Sequence, residues 1–81
     1  MRITVLCFAE LAETLGTTEF TLELPDGTDV EAAMDAVCTG HPSVTERRDT
    51  LAIAVNERYA SGAQTLQDGD VMAMVGPVSG G

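Results

Sequence analysis

An 81-residue chain with 44% hydrophobic residues supports one domain with one core, and its composition is that of a globular protein. Thirteen acidic residues against four arginines and no lysine give a formal charge of −9, which argues against nucleic acid as a partner, because phosphates must be neutralised by cations. No apolar run nears the roughly 20 residues that span a bilayer, and no signal peptide precedes Glu10 and Glu13, so a cytoplasmic protein away from membranes is expected.

Arg2 to Phe8 reads as a strand, with Ile3, Val5 and Cys7 on one face and Thr4, Leu6 and Phe8 on the other. Both faces carry apolar groups, so the strand is central or its second face meets something. Ala9 to Leu15 has helical spacing through Phe8, Leu11 and Leu15, and Gly16 is placed to stop it. Glu19 to Leu24 alternates, with Phe20, Leu22 and Leu24 inward and Glu19, Thr21 and Glu23 toward water; it can pair with the first strand. Pro25-Asp26-Gly27 is a turn. Thr28-Asp29-Val30-Glu31 predicts a capping box that opens a helix running to about Thr39. Its apolar stripe is Val30, Ala33, Met34, Val37 and Cys38, and Gly40 with Pro42 ends it. Ser43-Val44-Thr45-Glu46 repeats the box pattern for a short helical turn. Leu51 to Val55 is a third strand, Asn56-Glu57 turns the chain into a short return strand at Arg58 to Ala60, and Asp68-Gly69-Asp70 turns it into a last strand, Val71 to Val75.

The order β-(short α)-β-α-β-β-β predicts an α+β fold: a mixed sheet of four to five strands wrapped on one main helix, the ubiquitin-like β-grasp. Residues 1–75 make up the domain, and 76–81 a flexible tail. Cys7 and Cys38 have no metal-ligand spacing and read as small buried hydrophobes, with a disulfide or a reactive thiol as the other readings. His41 reads as a turn residue rather than a ligand, and no metal or cofactor is expected. The acidity favours encounter with a basic protein surface, or else it reflects solubility or high-salt adaptation.

The segment Gly76-Pro77-Val78-Ser79-Gly80-Gly81 has no packing pattern. Extended, it could reach about 20 Å from the sheet. Pro77 stiffens its own section. Gly80 and Gly81 have no side chains, so the end can enter a channel little wider than the backbone. A frayed terminus is the bland reading, yet a chance Gly-Gly end occurs in only about half a per cent of chains of average composition. A free carboxylate is a poor acyl donor and must first be activated as an acyl-phosphate or acyl-adenylate. The sequence has no phosphate-cradling loop and no nucleophile–base pair for that, so activation and final reaction belong to other proteins. The chain carries rather than catalyses.

Three stretches together resemble one known family. Ile3-Thr4-Val5-Leu6-Cys7-Phe8-Ala9 with Glu13 and Leu15-Gly16, then Ala54-Val55-Asn56, then Leu66-Gln67-Asp68-Gly69-Asp70-Val71 with Pro77-Val78-Ser79-Gly80-Gly81, are similar to the ubiquitin-like sulfur-carrier subunits of molybdopterin synthase. The resemblance implies that the Gly81 carboxylate is adenylated by an adenylyltransferase similar to ubiquitin-activating enzymes and converted to a thiocarboxylate. It further implies that the tail, Pro77, Val78, Ser79 and Gly80, inserts into the large catalytic subunit. There two deliveries would turn cyclic pyranopterin monophosphate into molybdopterin, within a heterotetramer. Phe8, Tyr59 and Val75 fall where the family has an apolar partner surface, although Phe8 is equally readable as core. Gly76 stands where the family often has proline, and Met74 and Val75 where it has aromatics. The same tail would also serve a ubiquitin-like modifier joined through Gly81 to other proteins, or a carrier for thiamine or another sulfur pathway.

Overall fold

The computed structural model describes residues 1–76; the expected tail, Pro77 to Gly81, lies outside the described residues. In chain order the elements are β1 (Arg2–Cys7), α1 (Ala9–Leu15), β2 (Glu19–Glu23), α2 (Val30–Gly40), a 3-10 helix (Pro42–Thr50), β3 (Ala52–Val55), β4 (Arg58–Tyr59) and β5 (Val71–Val75). They form one mixed five-stranded sheet in the order β2-β1-β5-β3-β4. β1 and β5 run parallel, and every other pairing is antiparallel. This is the β-grasp expected from the sequence.

One face of the sheet builds the core. Ile3, Val5 and Cys7 of β1, Val55 of β3, and Met72 and Met74 of β5 are buried in one cluster with Val30, Ala33, Met34 and Val37 of α2. Those four recur at helical spacing, so a single stripe of α2 covers the sheet. Full burial of each large apolar side chain contributes about 1.5–3 kcal/mol. Leu11 of α1, Val44 of the 3-10 helix and Leu66 close the cluster's margins.

Two local expectations are corrected. The cap of α2 is Asp29, whose side chain accepts from the Ala32 amide at 2.8 Å. The Thr28 hydroxyl instead donates to the Pro25 carbonyl at 2.6 Å, and the Glu31 amide bonds the Gly62 carbonyl at 2.9 Å. A carboxylate one position later does the capping because Thr28 is held in the turn and is unavailable to the helix. The Ser43 box does not form either: the 3-10 helix starts from His41 without a side-chain cap, with Pro42 in its first turn.

Cys7 is fully buried, its thiol donating to the Thr17 carbonyl at 3.0 Å, and burial pushes its pKa up. Cys38 is half-buried, and both cysteines are free. His41 ends α2 and lies against Phe20, with ring centroids 4.6 Å apart. Among the described residues no group of three or more His, Cys, Asp or Glu is placed to hold a metal, and no helix is long and apolar enough to cross a membrane.

Candidate functional site

Among the described residues no helix lies over the other face of the sheet. Because side chains alternate along a strand, Thr4 and Leu6 of β1, Ala52 and Ala54 of β3, and Val71, Ala73 and Val75 of β5 all point away from the core. The register aligns them into rows. Leu6, Ala73, Ala54 and Tyr59 stand in one row across four strands, and Glu19 extends it onto β2 beside Leu6. One row nearer the end of β5, Val75 faces Ala52. Phe8 follows directly on Cys7, which pairs with Met74, so Phe8 and Val75 are neighbours one position on.

Phe8 owes its exposure to the backbone. Ala9 has φ 51°, a left-handed conformation that costs an L-residue about 1–2 kcal/mol, and it swings the chain sharply from β1 into α1. Phe8 caps the helix by position only and is 52% exposed. The two readings of Phe8 are thereby separated: it is a surface residue. Tyr59 is 75% exposed and Val75 half-buried. Phe8 and Val75 are thus brought together, while Tyr59 shares their face at the far edge strand.

A depression of about 460 Å3 runs over this face, lined by Leu6, Phe8, Val71 and Ala73, with Asn56 and Glu57 at the end opposite Phe8. Sequence reasoning placed Leu6 and Phe8 on this face but did not single out Leu6, Val71, Ala73, Asn56 or Glu57 as site residues. The period-two alternation of Val71, Ala73 and Val75 was the available signal; which rows coincide depends on register, which the sequence leaves open.

The Asp68-Gly69-Asp70 turn holds β5 in place. Asp68 Oδ1 accepts from the Arg2 amide at 2.7 Å, and the Gly69 amide donates to the Arg2 carbonyl at 2.8 Å, fixing the turn to β1. Gly69 has φ 86°, which its lack of a Cβ permits. Asp70 accepts from the Gln67 amide at 2.8 Å and from Asn56 Nδ2 at 2.9 Å. Asn56 in turn accepts from the Val71 amide at 3.0 Å, and its own amide donates to the Val71 carbonyl at 2.8 Å. The Asn56 and Asp-Gly-Asp signals, far apart in sequence, are two halves of one clasp. Asp70→Ala removes two charge-assisted bonds, and water takes the place of the carboxylate at the exposed Asn56 amide. We expect a loss of about 1–2 kcal/mol, read as a lower midpoint in thermal or urea unfolding.

The clasp and the two flanking strands make β5 the sheet's middle strand, and it carries the chain to Gly76 beside Phe8. Among the described residues nothing lies within 4 Å of where a Cβ on Gly76 would stand, so their packing does not require glycine there. The candidate site residues Pro77, Val78, Ser79, Gly80 and Gly81 lie outside the described residues.

Charge surrounds the apolar face on the described surface. Glu19 and Glu23 border it on β2, where Glu23 accepts from Arg2 at 2.6 Å, and Glu57 borders it at the β3–β4 turn. Arg47 and Arg48 are engaged on the helical side, with Glu10 and Asp35 respectively, and the hydrogen bond that Arg48 donates to the Asp35 carboxylate raises the Arg48 pKa. An apolar centre with an acidic rim suits a partner with an apolar prominence and basic flanks.

Comparison with known proteins agrees with this geometry. The model of the ThiS family matches residues 5–81. The molybdopterin synthase sulfur carrier subunit of Chlamydomonas reinhardtii is 36% identical, with all of both chains covered. That of Arabidopsis thaliana is 33% identical over the whole of this chain and 84% of its own. Among solved structures, SAMP1 from Haloferax volcanii superposes with a TM-score of 0.91 at 27% identity, covering both chains completely.

Proposed function

Since this chain belongs to the ThiS family, among the molybdopterin synthase sulfur carrier subunits, we propose that Gly81 is its working residue and that it carries sulfur as a terminal thiocarboxylate. Support comes from one arrangement: the strand leading to the Gly-Gly end is the middle strand of the sheet, and an uncovered apolar face lies beside its exit. The body docks through that face, with Phe8, Val75 and Tyr59 as contacts. The end of the chain, Pro77 to Gly81, enters the partner.

The chemistry divides between partners. On an adenylyltransferase similar to ubiquitin-activating enzymes, a Gly81 carboxylate oxygen attacks the α-phosphate of ATP and pyrophosphate leaves. Hydrosulfide then attacks the acyl carbon and displaces AMP, and loss of its proton leaves the thiocarboxylate. The large catalytic subunit of molybdopterin synthase receives the loaded chain, two carriers on a dimeric large subunit, and the sulfur passes to cyclic pyranopterin monophosphate. Deleting the gene should abolish molybdoenzyme activity, and re-expression of the intact chain, but not of one lacking Gly80 and Gly81, should restore it. Full rescue by the truncated chain overturns the proposal.

The similarity to SAMP1, the small archaeal modifier protein 1 of Haloferax volcanii, favours a second reading, a protein modifier joined through Gly81. Gly81-linked conjugates in cell extracts would establish that role. Lacking lysine, the chain has no side-chain amine through which copies could be linked into polymers.

A further inference from the structure

We infer that Glu57 is a specificity-determining residue of the docking face, pairing with a cationic side chain, of arginine type, on the catalytic partner. The inference rests on the docking proposed above and adds a residue and a chemistry to it. Three observations lead to it. First, Glu57 sits at a position that disfavours it. The two-residue Asn56-Glu57 turn joining β3 to β4 has φ 50° and 71°, and a turn with both central residues left-handed takes glycine most readily at the second. Asn56 is explained, because its side chain belongs to the clasp with Asp70 and Val71. Glu57 is not: among the described residues its carboxylate has no hydrogen-bond or ion-pair partner within the fold. A strained residue whose side chain does nothing internally points to an external use.

Second, Glu57 is exposed and lines the end of the apolar depression opposite Phe8. Phe8 lies beside Val75, where β5 ends, whereas Asn56 bonds Val71, where β5 begins. The two ends of the depression are therefore separated by the length of β5, about 13 Å at strand rise. An apolar contact at one end and a single charge at the other fix the direction in which the sheet lies on a partner. An apolar contact alone is non-directional and would not.

Third, the charge balance favours a cation. With a formal charge of −9, the chain meets basic surfaces preferentially, and an arginine at the rim offers planar donors matched to a carboxylate.

The test compares three variants for binding to the purified large catalytic subunit, at low and moderate salt. Glu57→Gln keeps the strained turn and removes the charge; we expect an unchanged thermal midpoint and an association constant lower by about tenfold at low salt, with a shallower salt dependence. Glu57→Gly removes both; it should bind as weakly as Glu57→Gln while melting a few degrees higher, roughly 3–6 °C, because glycine relieves the turn. Glu46→Gln changes the net charge equally from the 3-10 helix on the opposite side of the sheet, and should bind like the parent. Equal weakening by Glu46→Gln and Glu57→Gln would show that only the overall field matters, and would overturn the inference. So would parent-like binding by Glu57→Gln. If the parent chain itself fails to bind the large subunit, the docking proposal fails and this inference with it; parent binding with an indifferent Glu57 refutes the inference alone.

Discussion

Adding a single residue after Gly81 is expected to lower sulfur delivery by at least about a thousandfold while leaving the fold untouched. The extra residue has two consequences. It moves the carboxylate about 3.5 Å beyond the position the partner's active site would hold it in, and a displacement of even 1 Å costs on the order of 100-fold when reaction depends on placement. It also turns the Gly81 carboxylate into a peptide carbonyl, so the group that can be activated is the carboxylate of the added residue, one position too far along the chain. The described core is built from residues up to Met74, so the thermal midpoint should not change. Single-turnover transfer from a chain extended by one glycine measures the effect; transfer within tenfold of the parent would show that the reactive group lies elsewhere.

The second large effect is expected from Ala73→Glu. Ala73 is the centre of the uncovered face, flanked in its row by Leu6 on β1 and Ala54 on β3. In the free domain a glutamate there reaches water, so folding should lose only about 1 kcal/mol, the scale of strand preferences. In the docked state its carboxylate is desolvated without a partner, and affinity for the catalytic subunit should fall by at least about 100-fold. Isothermal titration against the large subunit, alongside a melting curve, separates the two. Parent-like affinity with a normal melt would move the docking surface off this face.

Much of this architecture was legible in the residues. Strict alternation in Glu19 to Glu23 and the Val30-Ala33-Met34-Val37 spacing specify a strand and a helix whose buried faces are those observed. Gly16, with φ 74°, stops α1 where a left-handed cap was expected. The failures have local causes. Thr28 and Asp29 are adjacent candidates for one cap, and the turn's own hydrogen bond to Pro25 decides between them. Phe8 was ambiguous because alternation gives its face but not the sharp bend at Ala9 that lifts it from the sheet. Asn56 and Asp70 looked like separate turn residues; only the pairing of β3 with β5 brings them to 2.9 Å. Glu57 was legible only as a turn residue, since its strain is a backbone property and its place at the depression depends on register.

The central claim is that Gly81 bears the sulfur, and mass tests it without reference to any downstream product. Incubated with ATP, a sulfur donor and its activating enzyme, the intact chain should gain the mass difference between one sulfur and one oxygen, localised by fragmentation to Gly81. A chain that keeps its original mass while the same enzyme loads an established carrier would contradict the account.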